Sequence, residues 1–137
     1  MSEQNKTITK RIFDEGWNGR KLDVCDELIA KDAPTHEPGL PPEASIGPES
    51  LKGIIGIYTG AFPDVKMTLE DMVAEGDRVV VRWQAIGTNT GSLMGMPPTG
   101  KKSTVTGTLI YRFADGKVAE AWSLWDKAGM MQQLTGA

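Results

Sequence analysis

The chain has one cysteine and one histidine in 137 residues. A lone Cys25 cannot close an internal disulfide or build a thiolate zinc cluster. A lone His36 excludes two-histidine metal motifs and leaves little from which to assemble a triad. Basic residues are not in excess: 15 Lys and Arg stand against 18 Asp and Glu, a net charge of −3. That balance gives no electrostatic footprint for nucleic acid. No apolar run approaches the ~18 residues of a membrane span; the apolar uncharged stretch at residues 53–63 falls well short. Residues 1–6 are polar and have no signal-peptide core. G-x-S-x-G and G-x-G-x-x-G are both missing, so serine-hydrolase and dinucleotide readings have no support. Internal repeats and low-complexity tracts are also lacking. These absences leave a soluble, cytoplasmic single domain spanning 1–137, long enough to bury roughly two-thirds of its unfolded surface without a staple.

What is present divides into a helical first half and a stranded second. Ile8, Ile12, Phe13 and Trp17 recur at helical spacing, in a helix expected to stop at Asn18-Gly19, with Gly19 taking the left-handed backbone. Leu22, Cys25, Leu28 and Ile29 mark a shorter second helix, on which Cys25 reads as a small core residue. Residues 34–48 hold five prolines, which forbid a long helix because each lacks a backbone donor; this segment is a loop or a lid. Pro48 suits the first turn of a third helix, with Leu51, Ile54, Ile55, Tyr58 and Phe62 along its apolar stripe.

After Pro63 the period changes from 3.6 to 2. Glu75-Gly76-Asp77-Arg78 reverses the chain between residues 65–74 and 79–88, placing Asp71 opposite Arg82 and Met72 opposite Val81. Asp115-Gly116 is a strong two-residue hairpin turn. Counting outward from it pairs Phe113 with Val118, Tyr111 with Glu120, Leu109 with Trp122, Gly107 with Leu124 and Val105 with Asp126. All of these share one face, a large apolar face expected to lie against the helices, yet carrying two carboxylates, Glu120 and Asp126. Helices first and antiparallel strands after predict an α+β domain with a curved sheet wrapped around N-terminal helices.

Several features have competing readings. Residues 95–102 fit G-x-x-x-x-G-K, but Pro97 and Pro98 remove N–H donors and the following residues are β-patterned, so this is a proline-braced connection rather than a phosphate loop. Trp83, Trp122 and Trp125 either pack in the core or a subunit contact, or stack on a ligand. His36 is either a loop residue or a second proton-transfer group at a cavity mouth. Asp126 is either the N-cap of a short segment from Lys127 to Leu134, or a carboxylate whose burial in an apolar pocket raises its pKa into the range of a general base.

Gly91 to Lys102, Tyr111 to Trp122, Trp125-Asp126 and Gln132-Gln133-Leu134 resemble the SnoaL-like polyketide cyclase family. Phe13 to Gly19, Thr35-His36-Glu37-Pro38 and Ala61-Phe62-Pro63-Asp64 fit the same pattern, so the resemblance covers nearly the whole chain. It implies the nuclear transport factor 2-like cone with a deep apolar pocket. It also implies intramolecular aldol condensation with neither metal nor organic cofactor, and an aspartate on the last strand, matched by Asp126, moving the proton. The chain departs from the family's antibiotic cyclases at Gly107 and Leu109, where those enzymes carry glutamine and histidine. Oxyanion stabilisation then falls to Tyr111, His36 or a backbone N–H.

Two principal expectations follow. One is a cofactor-free enzyme acting on a small apolar carbonyl compound, with Asp126 as base, His36 or Tyr111 polarising the oxygen, and Phe13, Phe62, Trp83, Leu109, Tyr111 and Trp122 around the substrate. The other is a pocket protein that binds an apolar ligand without turnover. A third and weaker expectation is a protein–protein module. Under any of them a homodimer is expected through the outer sheet face, where Ala119, Ala121 and Ser123 lie beside Ile110 and Trp125.

Overall fold

The computed structural model describes residues 2–136. Helix α1 (Ser2–Arg11) runs directly into a widened π-helical stretch, Ile12–Asn18. Helix α2 (Asp23–Leu28), strand β1 (Thr35–His36), a single 3-10 turn (Pro42–Ala44) and helix α3 (Gly47–Ala61) follow. Strands β2 (Lys66–Glu75), β3 (Arg78–Thr88), β4 (Lys102–Ala114) and β5 (Lys117–Trp125) precede a closing helix, α4 (Lys127–Thr135). The five strands form one sheet in the order β1-β5-β4-β3-β2, antiparallel except for β1, which runs parallel to β5. The expected α+β architecture is therefore the one formed.

The π-helical stretch ends at Asn18, whose side chain exchanges two hydrogen bonds with the backbone of Met67 (2.8 and 2.9 Å) and so docks the helix on β2. The left-handed residue that follows is Arg20 (φ 59°), not Gly19 (φ −84°). Gly19 is required for another reason: a Cβ there would stand 2.8 Å from the Glu15 carbonyl oxygen. The strain at Arg20 is held by its guanidinium, which donates to the carbonyls of Trp17, Pro63 and Val65. Pro48 opens α3 as expected, and Cys25 is fully buried in the core.

Both hairpin turns form where the sequence places them. Gly76 (φ 59°) turns β2 into β3, with Asp71 paired to Arg82 and Met72 to Val81. Asp115 and Gly116 both have positive φ (53° and 76°), the requirement of the turn whose twist matches the flanking strands. Phe113 then pairs with Val118 as counted. Beyond that pair the expected register fails. Ala119 is an extra residue on β5, so Arg112 pairs with Glu120, Tyr111 with Ala121, Leu109 with Ser123 and Gly107 with Trp125. A one-residue bulge moves every later side chain to the opposite face.

That single shift corrects three expectations. Trp122 and Glu120 lie on the outer face, and Asp126 leaves the sheet exposed to solvent. Ala121, Ser123 and Trp125 turn inward instead, so the small-residue patch expected on the outer face is not there. Across the outer face a row of directly paired residues runs Val73, Val80, Ile110, Trp122.

The core has two parts. One packs Ile12, Phe13, Val24 and Ile55 of the helices on Val79, Val81, Leu109 and Phe113 of the sheet. The other joins Ala61, Phe62, Val65, Leu93 and Val105 to Met130 and Leu134 of α4. Residues 89–101 are not a phosphate loop. They are a connection pinned by the buried Asn89, whose side-chain amide donates to the carbonyls of Ala61 and Gly91 and whose side-chain oxygen accepts from Thr99.

Candidate functional site

Where the two parts of the core meet, they leave a cavity of about 120 Å³ between the inner sheet face and the helices. Phe13, Trp17, Leu51, Ile54, Tyr58 and Phe62 form its helical wall. Met67, Trp83, Ala85, Val105, Leu109 and Tyr111 form the sheet wall from β2, β3 and β4. Ala121, Ser123 and Trp125 complete it from β5, and Met130 from α4. Widened helical turns are frequent at functional sites, and the one here carries both Phe13 and Trp17 to the cavity.

Within this apolar lining stand a few polar groups: the carboxylate of Glu37, the hydroxyls of Thr35, Ser103, Ser123, Tyr58 and Tyr111, and three indole N–H groups. Glu37 is the one carboxylate lining the cavity among the described residues. It arrives there because β1 alternates: Thr35 and Glu37 face the cavity, while His36 between them faces out. Glu37 has no hydrogen bond or ion pair to another side chain among the described residues, and neither the Tyr58 nor the Tyr111 hydroxyl has a protein partner there. Unpartnered polar groups in an apolar cavity are the groups left to orient a ligand.

Burial shapes their chemistry. Tyr111 is 4% exposed, and desolvation pushes its phenol pKa far above the ordinary value, so it is a neutral donor throughout the useful pH range. Tyr58 is pushed up to about 12, by burial first and then by the negative charge of Glu37. Its ring stands edge-on to that of Trp125 at 5.4 Å.

Of the residues expected at the site, the structure brings together Phe13, Phe62, Trp83, Leu109 and Tyr111. It places three elsewhere. Trp122 lies on the outer face, stacked on His36 at 5.5 Å and covered by the Arg78 guanidinium at 5.1 Å. His36 points away from the cavity and its Nε2 lies 2.7 Å from Glu120. Asp126 is the N-cap of α4, accepting a hydrogen bond from the Gly129 N–H at 2.8 Å. A side chain at Gly129 would collide with that carboxylate, so the cap and its glycine belong together.

Sequence reasoning missed Glu37 and turned Ser123 and Trp125 to the outer face. The last two were hidden by the bulge at Ala119, and Glu37 by a strand two residues long. One signal was present: two carboxylates on an otherwise apolar strand face mark a register that is off by one.

The family model for SnoaL-like polyketide cyclases matches residues 7–134, almost the whole chain. The chain belongs to the SnoaL-like polyketide cyclase family. Solved structures agree. IdmH from Streptomyces antibioticus is 33% identical, with 96% of this chain and 98% of that one covered and a TM-score of 0.83. A candidate polyketide cyclase from Acidithiobacillus ferrooxidans is 29% identical over 100% of this chain and 98% of its own, with a TM-score of 0.86. A candidate SnoaL-like polyketide cyclase from Jannaschia Sp. CCS1 is 26% identical over 99% and 94%, also at 0.86. No curated protein matches the sequence. Within this SnoaL-like chain, Gly107 and Leu109 both lie on the inner face of β4, and neither offers a polar group to the cavity.

Proposed function

We propose that this SnoaL-like protein is an acid/base enzyme needing no cofactor, which takes a proton from the carbon beside the carbonyl of a small, largely apolar compound. The observation that carries the proposal is Glu37, a lone carboxylate without a side-chain partner in an apolar cavity. A carboxylate that lines the cavity is open to a bound substrate, as a general base must be. The neutral Tyr111 hydroxyl donates a hydrogen bond to the carbonyl oxygen as negative charge develops there. The resulting enolate carbon attacks a second carbonyl of the same molecule. One carbon–carbon bond forms, and the new alkoxide recovers the proton from Glu37. The cavity volume, about 120 Å³, is of the order of an engineered apolar cavity that takes up benzene, which supports a small substrate.

The sequence alone favours Asp126 as the base. Its solvent-exposed cap geometry supports the structural reading of that residue, and Glu37 takes the chemical role in this proposal.

The test is exchange of the α-protons of 2-tetralone in deuterated buffer, followed by NMR. Saturable acceleration by the protein is expected. A second reading, ligand binding without turnover, is favoured by the apolar character of Gly107 and Leu109. It predicts perturbed Tyr111 and Trp125 resonances with no gain in exchange.

We also propose a homodimer through the outer sheet face, now centred on the row from Val73 to Trp122, where Val73 and Val80 are 64% and 43% exposed. Light scattering returning a monomer would remove it.

A further inference from the structure

Glu37 follows a strand of two residues, which the Ala121 N–H bond to the Pro34 carbonyl ties to β5 on its N-terminal side. Its own backbone ties are the pairings of Thr35 with Ala121 and His36 with Trp122 and the hydrogen bond from the Thr35 N–H to the Ser45 carbonyl, while the Glu37 carbonyl accepts from the Leu40 N–H within the loop. Beyond Glu37 the chain enters the proline-rich loop, with Gly39 in the left-handed region at φ 84°. The last side chain anchored to the sheet before Glu37 is therefore His36. Its ring stacks on Trp122 with an interplanar angle of 24°, and its Nε2 meets Glu120 at 2.7 Å. The other oxygen of Glu120 accepts from Arg112 Nε at 3.1 Å.

We infer that His36 is a positioning residue for Glu37: its contact with Glu120 and Trp122 locks β1 onto β5 and thereby sets where the Glu37 carboxylate stands in the cavity. The inference rests on the reading of Glu37 as the proton-moving group. Adjacent residues on a strand face opposite ways, so a contact made by His36 on the outside fixes the direction of Glu37 on the inside.

This anchor changes with charge. A histidine changes its protonation in roughly the pH 5–8 range. With the imidazole charged, the contact is an ion pair with hydrogen-bond geometry; with it neutral, a single hydrogen bond remains. The groups facing His36 are Glu120 and Trp122 from β5, Arg112 from β4 through Glu120, Arg78 from β3 across the Trp122 ring, and Glu37 beside it on its own chain. Glu120 is held below the ordinary carboxylate range, first by the His36 hydrogen bond and also by Arg112. The lock is thus tighter with the imidazole charged.

The test follows the side-chain carboxyl carbon of Glu37 by NMR in the whole protein from roughly pH 5 to 8, with amide protection factors at Thr35 and His36. In the wild type, the Glu37 signal should show an inflection at the pH where the His36 ring signals titrate. Protection at His36, the last residue paired with β5, should fall several-fold above it. His36→Gln keeps a donor to Glu120 but cannot titrate: the inflection should vanish while protection remains. In His36→Ala protection should be low at every pH. A Glu37 signal that ignores the His36 titration, or an inflection surviving in His36→Gln, overturns the inference. Neither signal depends on turnover, so this result and the fate of Glu37 as a base are read separately.

Discussion

The indole of Trp83 occupies the space that a side chain at Gly107 would fill. A Cβ at position 107 would stand 2.7 Å from Trp83 Cε2 and 2.7 Å from Trp125 Cβ. Two tryptophans close over this position, so the sheet wall of the cavity is aromatic there. Gly107→Ala should therefore push Trp83 off its seat. Overpacking of this kind costs about 1–3 kcal/mol, read as a lower urea midpoint, together with a changed tryptophan emission.

Asp126 should behave as a cap. Asn serves as well as Asp at an N-cap, whereas Ala loses about 1 kcal/mol. Asp126→Asn should leave the urea midpoint nearly unchanged and Asp126→Ala should lower it, with the slope of the transition the same in both.

Acid should weaken the fold through four carboxylates. Arg11 hydrogen bonds lower the pKa of Glu15 and Glu27, the Thr88 N–H lowers that of Asp64, and His36 with Arg112 lowers that of Glu120. A carboxyl with a depressed folded-state pKa contributes stability above its unfolded value, and loses it as pH falls through the folded one. The ordinary values are 4.5 for the glutamates and 3.8 for Asp64, so the urea midpoint should be flat near neutrality and decline below about pH 4.5. Glu27 and Asp64 are exposed, Glu15 and Glu120 half-buried, and added salt should shrink the decline.

Cys25 should be inert in the native protein. It is fully buried, and desolvation pushes its thiol up to about 11. A thiol reagent at neutral pH should label it only after unfolding. Prompt labelling under native conditions would contradict the packing described.

The hairpins and helices were legible because local chemistry dictates them. Asp115-Gly116 needs positive φ at both positions, and Pro48 starts α3 wherever the apolar stripe begins. Spacing put Phe13, Phe62, Leu109 and Tyr111 on the apolar faces and left Trp83 open between core, subunit contact and ligand. Ala119 defeated the count on β5, because no residue type there announces an extra residue, and the error then carried to Trp122 and Asp126. Strand β1 escaped notice for a different reason. Two residues show no period, and Thr35-His36 pairs only because β5, far along the chain, offers a parallel edge. With that strand went the distinction between His36, which faces out, and Glu37, which faces the cavity.

The central claim is that the cavity carboxylate moves the proton. The rate of 2-tetralone α-proton exchange should be compared in the wild type, Glu37→Gln and Asp126→Asn, each shown folded by its urea transition. General acid/base groups contribute about 10²–10⁴-fold. The account predicts a loss of at least about 100-fold in Glu37→Gln, and wild-type exchange in Asp126→Asn. Retained exchange in Glu37→Gln, or its loss in Asp126→Asn, would contradict it.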